Sequence, residues 1–188
     1  MRNHLILCIY LCFALGAGSV AGGETDAKKK QPDNRRFRIT QDGKVGYIDI
    51  SGKIVIPAGF THGRDFSEGL AAVFSGKDDG WYYIDPSGKR AFNGTFEKAE
   101  AFSEGLTAVA NENLKFGYIN NTGKNIVMPQ YDEGYPFNDG IAGVRLDDPT
   151  RVRFIDKTGK IVIKAEYEEV YDFSEGLARV SVTIEEEQ

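Results

Sequence analysis

Gly46-Tyr47-Ile48-Asp49-Ile50-Ser51-Gly52-Lys53-Ile54-Val55-Ile56 is the stretch whose reading decides the fold. Tyr47 and Ile48 favour extended backbone. Asp49 starts a turn, because its short side chain accepts from a backbone N–H two residues on. Gly52 and Lys53 close it, since a left-handed residue there lets a tight hairpin twist correctly. Ile54-Val55-Ile56 is the returning strand. The hairpin then comes back three times, as Tyr83-Ile84-Asp85, Tyr118-Ile119-Asn120 and Phe154-Ile155-Asp156, with returning strands at Ala91-Phe92, Ile126-Val127-Met128 and Ile161-Val162-Ile163. The turn glycines Gly52, Gly88, Gly123 and Gly159 are 36, 35 and 36 residues apart.

Outward from each turn the agreement continues. Eight residues past the glycine stands an aromatic, Phe60, Phe96, Tyr131 or Tyr167, and fourteen past it stands Phe66, Phe102, Phe137 or Phe173. Phe66-Ser67-Glu68-Gly69-Leu70-Ala71-Ala72-Val73 and its copies follow, so Leu70/Val73, Leu106/Val109, Ile141/Val144 and Leu177/Val180 recur on a third strand. A separation of three does not fit simple alternation and predicts a bulge or twist there. One such unit buries too little to stand alone, whereas stacked neighbours share a continuous core. The expected fold is all-β, a tandem β-hairpin repeat array that is open, twisted and solenoid-like, with a small β-propeller as the alternative. Three strands per unit, where a propeller blade usually has four, set that preference. The units run over about 45–80, 81–115, 116–150 and 151–184 within a repeat region of 37–184, and 37–44 supplies an N-terminal capping strand in place of a missing third strand.

Taken in order, Gly-Tyr-Ile-Asp-x-x-Gly-Lys, Val-Ile-Pro, an aromatic and Phe-Ser-Glu-Gly-Leu-Ala-x-Val resemble the WG repeat of bacterial proteins across residues 45–182. The Trp-Gly pair of that family reads Val45-Gly46, Trp81-Tyr82, Phe116-Gly117 and Val152-Arg153 here. The missing glycine puts in doubt any close backbone approach at Tyr82 and Arg153. The resemblance implies a β-repeat module used for binding or scaffolding, with no catalytic residues and no cofactor.

Outside the repeats, Leu5 to Leu15 is a nearly unbroken apolar run followed by Ser19-Val20-Ala21. The run is short for a membrane span, and the small residues suit signal-peptide cleavage before Gly22. Residues 1–21 are therefore read as a signal peptide, the mature protein as secreted or periplasmic with no integral membrane span. Residues 22–36 (GGETDAKKKQPDNRR) form a flexible linker, and 185–188 an acidic tail. At 41% hydrophobic and 12% aromatic the chain is too apolar to be disordered throughout. Its net charge of −5 does not supply the basic face that phosphate binding needs, so no nucleic-acid partner is expected. Cys8 and Cys12 both lie in the leader, and His62 is the one histidine beyond it. Composition thus excludes cysteine nucleophiles, thiolate or paired-histidine metal sites, and any Ser–His mechanism not built on His62.

Asp49, Asp85, Asn120 and Asp156 recur, but a Ca²⁺ loop needs several oxygens in one short segment, so they read as turn formers rather than metal ligands. Glu68, Glu104, Asp139 and Glu175, each before a glycine, take the same reading, and Asp78-Asp79 and Asp147-Asp148 read as solvated linkers. Function is expected where the units differ. Arg64, Glu100, Tyr135 and Tyr171 share the position two before the phenylalanine, and Trp81 with Tyr82 is the other candidate. The expected function is non-catalytic binding of a protein or peptide. The alternatives are a cell-envelope glycan or choline-type ligand held by Trp81, Tyr82 and Tyr83 through cation–π contacts, and a hydrolase of unknown type.

Overall fold

The computed structural model describes residues 4–10, 33–76, 80–148, 150–167, 169–174 and 177–183, the first of these and those after 163 as backbone. All regular structure among them is strand, in five antiparallel sheets. Strand β1 (His4–Tyr10) belongs to the last sheet. The first sheet is β2 (Phe37–Gln41), β3 (Lys44–Ile48) and β4 (Ile54–Phe60). The second is β5 (His62–Gly63), β6 (Ala71–Phe74) and β7 (Trp81–Ile84). The third is β8 (Lys98–Ala99), β9 (Leu106–Ala110), β10 (Phe116–Asn120) and β11 (Asn125–Tyr131). The fourth is β12 (Glu133–Gly134), β13 (Ile141–Arg145), β14 (Val152–Asp156) and β15 (Ile161–Tyr167). The last sheet joins β16 (Glu169–Ser174) and β17 (Leu177–Thr183) to β1.

The protein is a tandem array of hairpin repeats, and the third strand of each of the first three units pairs with the hairpin of the next: β6 with β7, β9 with β10, β13 with β14. Strand β2 pairs with β3 in the same way. The sequence pattern shows three strands per unit, while the third and fourth sheets have four. The additional strands, β5, β8 and β12, are two residues long. No period-2 pattern can show in so short a piece.

The predicted bulge in the third strand is absent. Ala71 to Phe74 pair with Ile84 to Trp81 without a register shift. Leu70 and Val73 stand three apart because the strand is covered on both faces. Val73 joins Val45, Tyr47, Ile56, Ala71 and Ile84 on one side, and Leu70 packs with Ala72, Tyr83, Phe102 and Val109 on the other. A strand buried on both faces loses its apolar–polar alternation. The irregularity lies in the outer strand instead. Val45, Tyr47 and Ile48 oppose Phe60, Ile56 and Ile54, and the same shifts recur in β10–β11 and β14–β15. Pro57 and Pro129 sit in that bulge, on an outer strand where a missing N–H costs no ladder bond.

Candidate functional site

The recurrent residues occupy recurrent environments. Tyr47, Tyr83 and Tyr118 are 0%, 1% and 0% exposed. Their hydroxyls donate to the carbonyls of Arg64, Glu100 and Tyr135 at 2.8, 2.7 and 2.8 Å. Their rings meet Phe66, Phe102 and Phe137 edge-on at 4.9, 5.0 and 4.9 Å. Burial pushes the Tyr47 hydroxyl up to about 12 and raises Tyr83 and Tyr118 as well. The fourth unit has Phe154, also buried, while the side chain of Phe173 lies outside the described residues.

The turns are structural in the same sense. One carboxylate oxygen of Asp49 accepts from the Ser51 N–H and hydroxyl and the Lys53 N–H at 2.9, 2.6 and 3.1 Å. Asp85, Asn120 and Asp156 repeat this pattern. Glu68 and Gly69 take positive φ values of 51° and 82°, which makes Ser67-Glu68-Gly69-Leu70 a two-residue type I′ hairpin. The carboxylates of Glu68 and Glu104 also accept from the N–H of Gly105 and Gly140 in the next unit, at 2.9 and 3.0 Å. Ser67 and Ser103 donate to the carbonyls of Phe102 and Phe137, both at 2.6 Å. These side chains therefore stitch successive modules as well as forming turns. Asp148 accepts from Thr150 within its own loop. Asp78, Asp79 and Glu175 lie outside the described residues.

The turn carboxylates of Asp49, Asp85 and Asp156 are held below the usual range, chiefly by the Ser or Thr hydroxyl donated to each. A lowered folded-state value means that the contribution to stability is present above the unfolded pKa of about 3.9 and is lost as pH falls through the folded value. Melting temperature should fall as pH is lowered from 5 to 3. Asp85→Asn, which copies Asn120, should keep the turn and flatten that dependence in melting curves taken across this range. An undiminished pH dependence would put the acid sensitivity elsewhere.

Positions that vary between units gather along one rim. His62, Phe74 and Trp81 stand opposite one another across β5, β6 and β7. Their rings lie 5.9 Å (His62–Phe74), 5.8 Å (Phe74–Trp81) and 6.3 Å (His62–Trp81) apart. The Arg64 guanidinium stands 5.8 Å from the Trp81 ring, donates to the Ala99 carbonyl at 2.6 Å and pairs with Glu100 at 2.6 Å. Partial burial raises the Glu100 carboxyl, and Arg64 opposes that shift. Arg64, Trp81 and Glu100 thus come together, and His62 and Phe74, which carry no repeat signal, complete the cluster. Tyr135 lies one module on, bonded to Glu133 at 2.9 Å and beside Arg145. The side chain of Tyr171 lies outside the described residues.

Tyr82 does not join this cluster. It packs with the core on the opposite face of β7, its ring under the Arg90 guanidinium at 4.2 Å and its hydroxyl 2.9 Å from Ser75. Tyr83 is buried and bonded to Thr107 as well as to Glu100. The three aromatics of the choline-type reading therefore do not converge on one point, because neighbours on a strand face opposite ways. A separate groove of about 400 Å³ lies between the second and third sheets, lined by Phe96, Glu97, Val109, Glu112, Asn125 and Pro129 among others. Among the described residues no group of three or more His, Cys, Asp or Glu is placed to hold a metal ion.

The family model for the WG-containing repeat matches residues 46–77, 83–114, 116–148 and 153–182. The chain belongs to the WG-repeat family. No curated protein matches it significantly. Among solved structures it is similar to the computationally designed Ika8 protein (14% identity, TM-score 0.47, 74% of this chain and 52% of that one). It is also similar to BamB from Moraxella catarrhalis (14%, 0.46, 84% and 57%) and to the WD40 β-propeller domain of Doa1 (15%, 0.40, 71% and 50%). The chain spans 50% to 57% of the length of these three proteins.

The WG glycine has a steric reason in this chain. A Cβ on Gly117 would lie 2.5 Å from the Val127 carbonyl oxygen and 2.7 Å from the Pro129 nitrogen, because the bulge of the outer strand crosses directly over it. Where this WG repeat has Tyr82, the outer strand is reduced to bridges at Arg90 and Phe96, and Ala91-Phe92 is no regular strand. Where it has Arg153, the shifted register persists. Loss of the close approach was thus legible at Tyr82 but left no mark on the pairing at Arg153.

Among the described residues no helix is long and apolar enough to cross a membrane.

Proposed function

We propose that this WG-repeat chain is a secreted or periplasmic, non-catalytic scaffold that binds a protein or peptide on the rim of its second and third sheets. The observation that carries the reading is a division of labour. The recurrent side chains are spent on the fold, whereas Arg64, Trp81 and Glu100 vary between units and meet beside His62 and Phe74. Trp and Arg, flanked by further aromatics, are the residue types that dominate protein–protein binding energy. Residues 1–21 act in this proposal as a leader removed on secretion, supported by the short apolar run and the small residues after it.

The test is identification of what co-purifies with the mature chain, followed by affinity measurements on variants. Trp81→Ala is expected to weaken the complex by about 2 kcal/mol or more, roughly thirtyfold, with no loss of secondary structure. Tyr135→Ala, outside the cluster, should change affinity little. Unaltered affinity in Trp81→Ala would remove this rim from consideration. Retention on isolated peptidoglycan that Trp81→Ala abolishes would instead point to a glycan ligand.

A further inference from the structure

The first and last sheets of the described array are bordered by unlike strands, β2 in one and β1 in the other. Every third strand that is followed by another unit gives its far edge to that unit's hairpin. Strand β17, with Leu177-Ala178-Arg179-Val180 in the place of Leu70-Ala71-Ala72-Val73, pairs with no hairpin of a following unit among the described residues. Its edge is nonetheless able to take a strand, since His4–Tyr10 pairs along it antiparallel over seven residues. At the opposite end, the hairpin of the first unit is bordered by β2.

Strand β2 is a partial copy of β17. Ile39 opposes Gly46, the position that Val73 and Val109 oppose in later units as Tyr82 and Gly117. On that alignment Arg38-Ile39-Thr40 corresponds to Arg179-Val180-Ser181. The copy is poorly covered. Strands β6, β9 and β13 are buried along most of their length, whereas β2 is mostly exposed and Phe37 is 47% exposed. The first hairpin thus carries an exposed stand-in, held by its ladder to β3 and by Arg38, which donates to the Gly63 carbonyl at 2.8 Å and pairs with Asp65, where the repeat calls for a strand of the β17 type; an open strand edge is a template for another chain.

We infer that β17 of one copy displaces β2 and pairs with β3 of a second copy, so that the chain associates head to tail through its own repeat geometry. This rests on the leader reading above, because removal of residues 1–21 takes β1 away and frees the edge. The interface is heterologous: different surfaces meet, and each new copy leaves one of each kind open. In the predicted register Ser181 replaces Thr40 opposite Val45.

The test uses the full chain with Cys8 and Cys12 replaced by serine. Two preparations, one carrying Ser181→Cys and the other Val45→Cys, are mixed under mild oxidation, and the N-terminal residue of each is read by mass spectrometry. Directly opposed residues on neighbouring antiparallel strands lie within disulfide reach. Ile48→Cys in place of Val45→Cys is displaced by roughly 10 Å and serves as the register control. The expected result, in material lacking residues 1–21, is a mixed disulfide dimer that rises with concentration for Val45→Cys and is absent for Ile48→Cys. Material that keeps its first residues refutes the leader reading, and Ile6→Pro, which breaks β1, should then bring the dimer out. Light scattering on the chain with Val45 and Ser181 left unchanged gives a second measure, a mass that grows beyond one chain with concentration. The inference fails if folded protein with β1 removed or broken gives neither the mixed disulfide nor the mass increase. It also fails if a third preparation, carrying both Val45→Cys and Ser181→Cys in one chain, forms the linkage within single chains while the mixed preparations form none, which would mean closure of the array on itself.

Discussion

Phe137→Ala is expected to destabilise the protein by about 3 to 5 kcal/mol, among the largest effects of any single truncation. The ring is 1% exposed and sits in the core shared by the third and fourth sheets, with Phe116, Tyr118, Val127, Val144 and Ile155. It meets Tyr118 edge-on at 4.9 Å, a geometry that adds to the area it buries. Tyr118 is anchored by its hydroxyl to the Tyr135 carbonyl and cannot swing in to fill the space. The loss should therefore combine lost transfer energy with an unfilled cavity. The equivalent Phe66 is only partly buried. Phe66→Ala should cost less. Urea unfolding of both variants gives the comparison, and a Phe137→Ala loss under about 1 kcal/mol would be incompatible with a ring packed between two modules.

Gly123→Val should be the next most damaging change, and Gly52→Val isolates the reason. Both glycines close the same turn, with φ of 81° and 82°, so both substitutions carry backbone strain on the order of 1 to 3 kcal/mol. They differ in what lies beyond the turn. A Cβ on Gly123 would lie 2.5 Å from the ring of Phe92 in the preceding unit, whereas a Cβ on Gly52 would meet nothing within 4 Å. Gly159 rests on Val127 and Gly88 on Ile56 in the same manner. Overpacking adds about 1 to 3 kcal/mol at Gly123 alone. Thermal melts should thus rank Gly123→Val clearly below Gly52→Val. Equal melting temperatures would show that the turn of one module does not rest on the module before it.

Much of the fold is legible in the sequence, for a physical reason. A stacked module must present the same side chain to the same neighbour each time, so Tyr47, Tyr83 and Tyr118 return on schedule with Phe66, Phe102 and Phe137. The turn aspartates are readable because their partners lie two and four residues away. What the pattern conceals is non-local or very short. Strands β5, β8 and β12 are too brief to alternate. Burial on both faces at Leu70 and Val73 mimics a bulge that lies instead in the outer strand. At the candidate site, Arg64 and Glu100 can be found because they share a repeat position. His62 and Phe74 cannot, since only the register of three strands brings them to Trp81. The same register sends Tyr82 to the opposite face, which no count along the chain weighs against its neighbour Trp81.

The most direct test of stacked, equivalent modules is a set of proton–proton NOEs on protein labelled at tyrosine and phenylalanine. Equivalent stacking predicts strong ring-to-ring NOEs for Tyr47–Phe66, Tyr83–Phe102 and Tyr118–Phe137, one pair per module and alike in pattern. Tyrosines that show NOEs to unrelated partners from one module to the next would contradict it.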